Sequence, residues 1–268
     1  MTKPISIHDT SLNEIEESLK KEYFSSAKAL FSSPKDFCEA EDYLHAVSKK
    51  YHCAFPDMLF HSDFLEEERF FSSELDTAFF RHLRYLPPIW HSHTFLEVTY
   101  VASGTCTNYI MEQTLTMSTG DICIIAPNTL HAIRALSDDC VIYNILLRTS
   151  TFETAFFGTL SGNDILSDFF TRILYHTPSH PYLLFRTGTD MELFAYIGFF
   201  CQEFYSNRQY KNRMLNNLLT AFFIILLRKH TKAKNAAGGP YAFKFGYICL
   251  NHCRDIRLFR HKQLQAHF

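Results

Sequence analysis

The sequence predicts an α+β fold in which a small β-barrel is flanked by N-terminal helices and a C-terminal helical region. Apolar residues recur at three- and four-residue steps before residue 52 and again after residue 150, which indicates helices on both sides. Between them lie short β-rich runs separated by turn residues, a pattern typical of a sandwich or barrel. The 268 residues are 47% hydrophobic and 20% charged, a balance that suits a globular protein.

Residues 1–76 form the predicted N-terminal helical extension. A first helix is predicted over 11–31, where "SLNE" reads as a capping box between Ser11 and Glu14. A second helix is predicted over 34–51, because a proline at its start is followed by aromatic and aliphatic residues on one side. The sequence assigns no function to this extension beyond added packing or dimer surface.

Residues 77–150 form the predicted barrel. The β-rich runs are "IWHSHTFLEVTYVASG", "CTNYIMEQTLTMSTGD", "ICIIAPNTLHAIRAL" and "CVIYNILLR", and "ASG", "STGD" and "APN" are predicted turns. Strands of this length at such regular spacing favour one closed or sandwiched β-unit.

Residues 151–231 form a predicted helical packing and dimerisation region, with helices over 166–176, 190–207 and 213–230. The last helix is apolar on nearly all sides, which suits either a core helix or one that also meets a second subunit. For the apolar stripe of this helix, core packing and dimer packing are both open. The candidate homodimer contact consists of Leu215, Leu218, Phe222 and Leu226.

Charge is unevenly spread along the chain. The net charge is −2, but residues 228–268 carry nine Lys or Arg and one Asp, a local charge of +8 that leaves −10 for residues 1–227. A linker at 232–240, "KAKNAAGGP", separates the basic segment 241–268 from the rest. Basic tails often bind nucleic-acid phosphates, and a solvated helical surface is the alternative.

The N-terminus is polar and has no apolar signal region. The longest apolar run, "AFFIILL", is far shorter than the ~20 residues of a membrane span. The 8 Cys are scattered without a C-x-x-C pair, which predicts reduced thiols. Together these features predict a cytoplasmic protein without a membrane partner.

One strand carries candidate site residues. In "HSHTFLEVTYVASG", His91, His93 and Glu97 share parity, so on a strand their side chains point the same way. His131 follows on a different strand, past the turn at Gly120. Imidazoles and a carboxylate can bind a divalent metal, and without metal they can hydrogen-bond a small polar ligand. They could also be surface polar residues, with the apolar residues between them forming the core face.

The spacing H-x-H-x3-E-x6-G from His91 to Gly104 resembles the first cupin motif. A second motif is looser: Gly120 and His131 are in place, Pro127 is displaced by one residue, and Ala135 stands where Asn is common. These features resemble the sensor domain of AraC-family transcriptional regulators, in which "GDICIIAPNTLH" matches the second motif. The resemblance covers roughly residues 80–230.

The resemblance implies a cupin-type, jelly-roll-like barrel that binds a small-molecule effector, for example a sugar, in a homodimeric regulator that binds DNA. It implies effector-binding residues His91, His93, Glu97 and His131, to which we add Tyr109. Since the family uses this barrel for recognition rather than catalysis, we expect neither an enzyme nor a cofactor. A divalent metal on the same two strands is the alternative, and the rival function is a metal-dependent cupin enzyme such as a dioxygenase or sugar isomerase.

The segment 241–268 resembles the opening of the family's helix-turn-helix domain. The resemblance places four basic residues near DNA: Arg254, Arg257, Arg260 and Lys262. Only the first two helices of that domain would fit in the segment, without the recognition helix that enters the major groove. We therefore expect a truncated DNA-binding domain. The effector, the promoter and the sign of regulation are not predicted by the sequence.

Overall fold

A computed structural model of the chain describes residues 7, 9–27, 31, 37–55, 64–151, 167, 171 and 181–230. The predicted linker at 232–240 and the basic segment 241–268, with its four DNA-proximal residues, lie outside the described residues. Most of the helix predicted over 166–176 does too. Among the described residues, no helix combines the length and apolar content needed to cross a bilayer.

The N-terminal extension contains helix α1 (Glu14–Glu22), a π-helical turn (Tyr23–Ala27) and helix α2 (Phe37–Tyr51). The predicted capping box was wrong by two residues. Asn13 is the N-cap: its Oδ1 accepts from the Glu16 amide at 2.9 Å, and Glu16 Oε2 accepts from the Asn13 amide at 3.0 Å. Ser11 lies two residues before the cap, and its amide and hydroxyl donate to Asp9.

The β-unit has three sheets, and the cupin-like arrangement with flanking helices is confirmed. A five-stranded antiparallel sheet has the order β10-β7-β4-β9-β2, a three-stranded sheet the order β6-β5-β8, and β1 pairs with β3. The strands are β1 (Phe64–Leu65), β2 (Thr77–Arg81), β3 (Ser92–His93), β4 (Leu96–Ser103), β5 (Thr105–Ile110), β6 (Gln113–Ser118), β7 (Ile122–Ile125), β8 (His131–Arg134), β9 (Val141–Leu147) and β10 (Tyr182–Phe185).

The region predicted to be helical from residue 151 also contributes a strand. After a short helix α3 (Thr149–Thr151), strand β10 pairs antiparallel with β7 along its whole length, from Tyr182 opposite Ile125 to Phe185 opposite Ile122. This pairing satisfies the backbone of an otherwise open edge of the sheet. Helices α4 (Met191–Phe204) and α5 (Lys211–His230) follow.

Both faces of the large sheet are buried, which settles the orientation of β4. Leu96, Val98 and Tyr100 face α4 and α5 in one apolar core. Glu97 and Val101 point the opposite way, into the space between the large and small sheets. The polar residues of this strand are therefore interior residues and not surface residues.

The apolar stripe of α5, predicted as a homodimer contact, packs mainly within the chain. Leu215, Phe222 and Leu226 are fully buried, and Leu218 packs half-buried against the same core. The large sheet needs an apolar cover on its outer face, and α5 provides it. For the three fully buried residues this favours the core alternative; a homodimer contact on this helix stays a prediction.

Candidate functional site

Four of the predicted site residues are brought together between the sheets. His91 and His131 form a backbone bridge, with amide-to-carbonyl distances of 3.0 and 2.9 Å in the two directions. Glu97 Oε2 lies 3.2 Å from His93 Nε2 and 3.6 Å from His131 Nε2. The predicted convergence of the histidine strand with His131 is therefore present. We name these four residues the histidine–glutamate group.

Backbone contacts fix the orientation of the three imidazoles. In each ring Nδ1 lies close to the carbonyl oxygen of a residue two positions away: Ile89 for His91 (3.0 Å), Phe95 for His93 (2.7 Å) and Thr129 for His131 (2.9 Å). A carbonyl accepts only, so each Nδ1 carries the hydrogen and donates. In the neutral ring this tautomer leaves the Nε2 lone pair directed into the site.

Protonation makes the centre of the group rich in acceptors. Burial lowers the pKa of His91 to about 3 and also lowers the pKa of His93, which favours neutral rings. Burial would raise the pKa of Glu97, but hydrogen bonding to His131 and His93 outweighs it and holds that pKa well below its usual value. A neutral ring that donates through Nδ1 has no hydrogen on Nε2, so the contact with ionised Glu97 requires a second proton on one ring, or a cation, between Nε2 and the carboxylate.

The donor set of the group fits a divalent metal. Ligand atoms of His91, Glu97 and His131 all lie within 4.8 Å of one another. Nitrogen and oxygen donors of this kind bind zinc, iron, manganese or nickel, and a backbone carbonyl on the far ring nitrogen is the usual way to orient a ligating histidine.

A cavity of about 250 Å³ adjoins the group and is lined by His91, His93 and Glu97. Most of its wall is aliphatic or aromatic. Part of that wall comes from the N-terminal extension: Ile15 of α1, Leu65 of β1 and Phe70. The predicted domain boundary at residue 76 therefore runs through the cavity. Since these residues are distant in sequence from the histidine strand, no local pattern could have assigned them to the site.

Three polar residues at the cavity were missed by the sequence analysis: Arg81, His82 and Asn144. Asn144 is 4% exposed, and its Oδ1 has no hydrogen-bond partner among the described residues. The same holds for His82 Nε2 within the described part of the chain. Buried polar atoms without partners are rare, so these two atoms mark a place where water or a ligand is needed.

Tyr109 is not brought to the cavity. It pairs with Ala132 in the register of β5 with β8, whereas its neighbour Ile110 pairs with His131. Alternation along the strands puts Tyr109 on the face opposite His131. There its ring meets Trp90 at 6.4 Å and the Arg134 guanidinium at 5.6 Å. The structure gives Tyr109 a packing role outside the cavity.

Burial lowers the pKa of His82 to about 4. In the unfolded chain His82 is protonated below its ordinary pKa of about 6.5, whereas in the folded chain it is protonated only below about pH 4. We expect this group to reduce the free energy of unfolding by about 1.4 kcal/mol per pH unit within that window. Urea denaturation between pH 7 and 4 should show a shallower pH dependence for His82→Phe. His45→Phe, at a side chain that is 64% exposed, should keep the wild-type dependence; equal slopes in all three proteins would contradict the burial of His82.

Comparison with known proteins identifies the β-unit. The model of the AraC-like ligand binding domain matches residues 84–163. Residues 84–163 therefore match an AraC-like ligand binding domain, in agreement with the domain predicted from the two motifs. No curated protein sequence matches the chain.

Comparison with solved structures returns ToxT and cupin proteins, all at TM-scores below 0.5. An apo variant of ToxT from Vibrio cholerae has a TM-score of 0.42 at 12% identity, over 72% of this chain and 75% of ToxT. ToxT with a bound unsaturated fatty acid has a TM-score of 0.33 at 13% identity, over 53% of this chain and 48% of that one. A cupin-2 domain protein from Shewanella frigidimarina has a TM-score of 0.24 at 26% identity, over 27% of this chain and 72% of that one. The family assignment rests on the match at residues 84–163.

Proposed function

We propose that this protein is a ligand-controlled transcription regulator whose effector binds in the cavity beside the histidine–glutamate group. The observation that carries the proposal is an apolar cavity of about 250 Å³ with unpartnered buried polar atoms of His82 and Asn144 at its wall. Ligand sites in proteins share this design, in which a mostly apolar wall carries a few polar groups that fix orientation. The AraC-like ligand binding domain supports the same reading.

The effector would act on the N-terminal extension directly. Ile15 of α1 lines the cavity, so a bound molecule contacts this helix. The chain before α1 is held by two arginines of the β-unit: Arg81 donates to the carbonyls of Asp9 (3.1 Å) and Ser11 (2.8 Å), and Arg84 also donates to Ser11 (2.6 Å). A ligand that favours one placement of α1 over another shifts the equilibrium between them by its difference in affinity.

DNA binding and dimerisation belong to the same proposal. The basic segment 241–268 supplies positive charge for phosphate contacts, and a homodimer would pair two such segments on one DNA duplex. Leu215, Phe222 and Leu226 of the α5 stripe are buried in the core, so the proposed homodimer would use other exposed residues, of this helix or elsewhere.

The test measures whether occupation of the cavity changes the affinity of the protein for DNA. Genomic DNA fragments retained by the purified chain would be sequenced, and the affinity for the selected sequence measured by fluorescence anisotropy with and without an extract of small metabolites. We expect the extract to change the affinity of the wild type but not that of Leu65→Trp, which fills the cavity from its half-buried rim. Leu218→Trp, at a half-buried leucine outside the cavity, is the matched control and should respond like the wild type. An extract that acts equally on all three proteins, or a chain that selects no sequence, would contradict the proposal.

A metal centre is the second candidate function, and the orientation of the imidazoles favours it. His91, Glu97 and His131 would hold the ion, with His93 beside them. The bound ion would supply Lewis acidity, as in the metal-dependent cupin enzymes. The protein's own residues would position it, since the backbone carbonyls at Ile89 and Thr129 hold two of the rings with Nε2 forward.

This candidate predicts a metal content that can be measured. After removal of metals with a chelator and dialysis against Zn²⁺ or Mn²⁺, the chain should retain about one ion, as expected for one such ligand set. His131→Phe should abolish retention. His82→Phe, which alters a buried histidine at the cavity outside the group, should not. Mass spectrometry of the digested protein that finds no retained metal in the wild type would exclude the metal centre.

A further inference from the structure

Besides Arg81, two polar side chains of the cavity lie outside the histidine–glutamate group, Asn144 and His82. In the large sheet Asn144 pairs with Phe80, and the amide of His82 donates to the carbonyl of Ile142 at 2.9 Å. Alternate residues of a strand share a face, so His82 lies on the same face as Phe80, the residue paired with Asn144. Asn144 and His82 therefore project to the same side of the sheet, two residues apart in register. Both line the cavity. We name this pair the asparagine–histidine subsite.

Both places hold buried polar atoms without a partner among the described residues. In the histidine–glutamate group that atom is His131 Nε2, while Glu97 Oε1 accepts from Thr99 at 3.1 Å. At the subsite the atoms are Asn144 Oδ1 and His82 Nε2. A ligand that pairs with these two atoms forms hydrogen bonds that the protein would otherwise leave unmade, and the amide oxygen of Asn144 requires a donor.

The chemistry of the subsite favours an uncharged head that both donates and accepts. Asn144 Oδ1 needs a donor, and neutral His82 can present either an N–H or a lone pair. A hydroxyl carries both a donor and an acceptor, so it suits either atom. A carboxylate has no hydrogen for Asn144 Oδ1 and would also approach the buried carboxylate of Glu97. Arg81 donates through its terminal nitrogens to Asp9, Ser11 and Glu16, and its Nε is a third buried atom at the cavity without a partner among the described residues.

The apolar walls of the cavity determine the kind of body that the ligand can have. The subsite is surrounded by apolar side chains, among them Ile15, Leu65, Phe70, Phe80 and Leu146. Such walls leave the several hydroxyls of a sugar without partners, at a cost for each one buried.

We infer that the effector is a small uncharged molecule with an apolar body and a hydroxyl head, and that the head binds between His82 and Asn144. This inference rests on the proposed function, because it names the chemistry that the same cavity takes. It places the head on the large sheet and the body against the N-terminal extension, so recognition would depend on residues from both. The sugar expected from the family resemblance is then a poor ligand.

The experiment compares three probes on the full chain by isothermal titration calorimetry: 1-heptanol, heptanoate and L-arabinose. We expect 1-heptanol to bind at least about tenfold more tightly than either of the others, the factor that a lost buried hydrogen bond produces. Asn144→Leu and His82→Phe should each weaken 1-heptanol about tenfold while leaving the free chain as stable as the wild type or more so. Asn144→Ser gives a second, smaller change at the same position if the leucine variant does not fold.

Thr77→Val is the matched control. Thr77 Oγ1 is also buried without a partner among the described residues, but Thr77 does not line the cavity, so this change should leave 1-heptanol affinity as it is. Binding of heptanoate or L-arabinose in preference to 1-heptanol, abolished by Leu65→Trp, would overturn the inference and leave the proposed effector cavity standing. Binding of 1-heptanol that survives both subsite variants would also overturn it. Binding of none of the three probes would overturn it as well, while the proposed function is judged separately by the metabolite-dependent DNA affinity.

Discussion

Replacing Arg84 by methionine should lower the free energy of unfolding by about 3–5 kcal/mol, the usual loss when one partner of a buried ion pair is removed. Arg84 is 1% exposed and Glu16 fully buried. The guanidinium donates to both carboxylate oxygens of Glu16, at 3.0 and 2.9 Å, and to the carbonyls of Thr10, Ser11 and Asp138. The methionine variant would leave the Glu16 carboxylate buried beside α1 with its main partner gone.

Urea denaturation monitored by circular dichroism measures this loss. Lys20→Met is the control, since it removes a lysine from an ion pair with Asp138 whose side chains are 30% and 55% exposed. Exposed pairs of this kind contribute only about 0–1 kcal/mol. The double variant Glu16→Leu with Arg84→Met should recover part of the stability, because no buried carboxylate remains without its arginine; the lost cap at Asn13 and the lost contact with Arg81 limit the recovery. A loss for Arg84→Met as small as that for Lys20→Met would show that α1 is not fastened to the β-unit through this pair.

The second large effect is expected at Gly120, the glycine of the predicted turn between β6 and β7. Its φ of +90° lies in the left-handed region, and a Cβ added there would overlap the carbonyl group of Gly188. Gly120→Ala should therefore cost about 3 kcal/mol or more, from the backbone conformation together with the displacement of the chain after β10. The turn and the end of β10 are also joined by a hydrogen bond from the Thr187 hydroxyl to the Gly120 carbonyl, at 2.5 Å.

Gly188→Ala separates the two causes. Gly188 has a φ of +60°, but no atom lies within 4 Å of the Cβ that alanine would add. We expect it to lose only about 1–2 kcal/mol, the cost of a left-handed conformation for a residue with a side chain. Thermal and urea unfolding of the two variants give the comparison. Equal losses would mean that β10 does not approach the turn at Gly120 as closely as the structure has it.

The parts of this fold that the sequence predicted are those specified by short-range patterns. The β-unit at 77–150 followed from β-rich runs and turn residues. The one strand predicted to carry His91, His93 and Glu97 is divided into a bridge at His91, β3 and β4, but the three side chains still meet. His131 was placed by the spacing of a second motif. In each case the residues that determine the outcome lie close together in the sequence, or a recurrent motif links them.

The parts that failed depend on long-range packing. Ser11 fits the pattern of a helix cap, but in the structure its hydroxyl donates to Asp9. The face on which Tyr109 lies depends on the register of β5 with β8. The apolar residues of α5 recur with the same period whether the helix covers a sheet or contacts a second subunit. Their packing against the large sheet could therefore not be predicted from the period alone. Asn144 looks like an ordinary polar residue in an apolar strand, and its place at the cavity depends on which face of β9 turns inward.

The proposed function and the inferred effector both require that the cavity binds a ligand. Stabilisation of the folded protein by that ligand tests this most directly. Melting temperatures of the wild type, Leu65→Trp and the control Leu218→Trp would be measured against a library of small uncharged alcohols, phenols, carboxylates and sugars. The account predicts at least one compound, most readily an alcohol or phenol, that raises the melting temperature of the wild type and the control and leaves Leu65→Trp unchanged. A compound that stabilises all three proteins equally would bind elsewhere, and a library in which every stabilising compound behaves so would contradict the account.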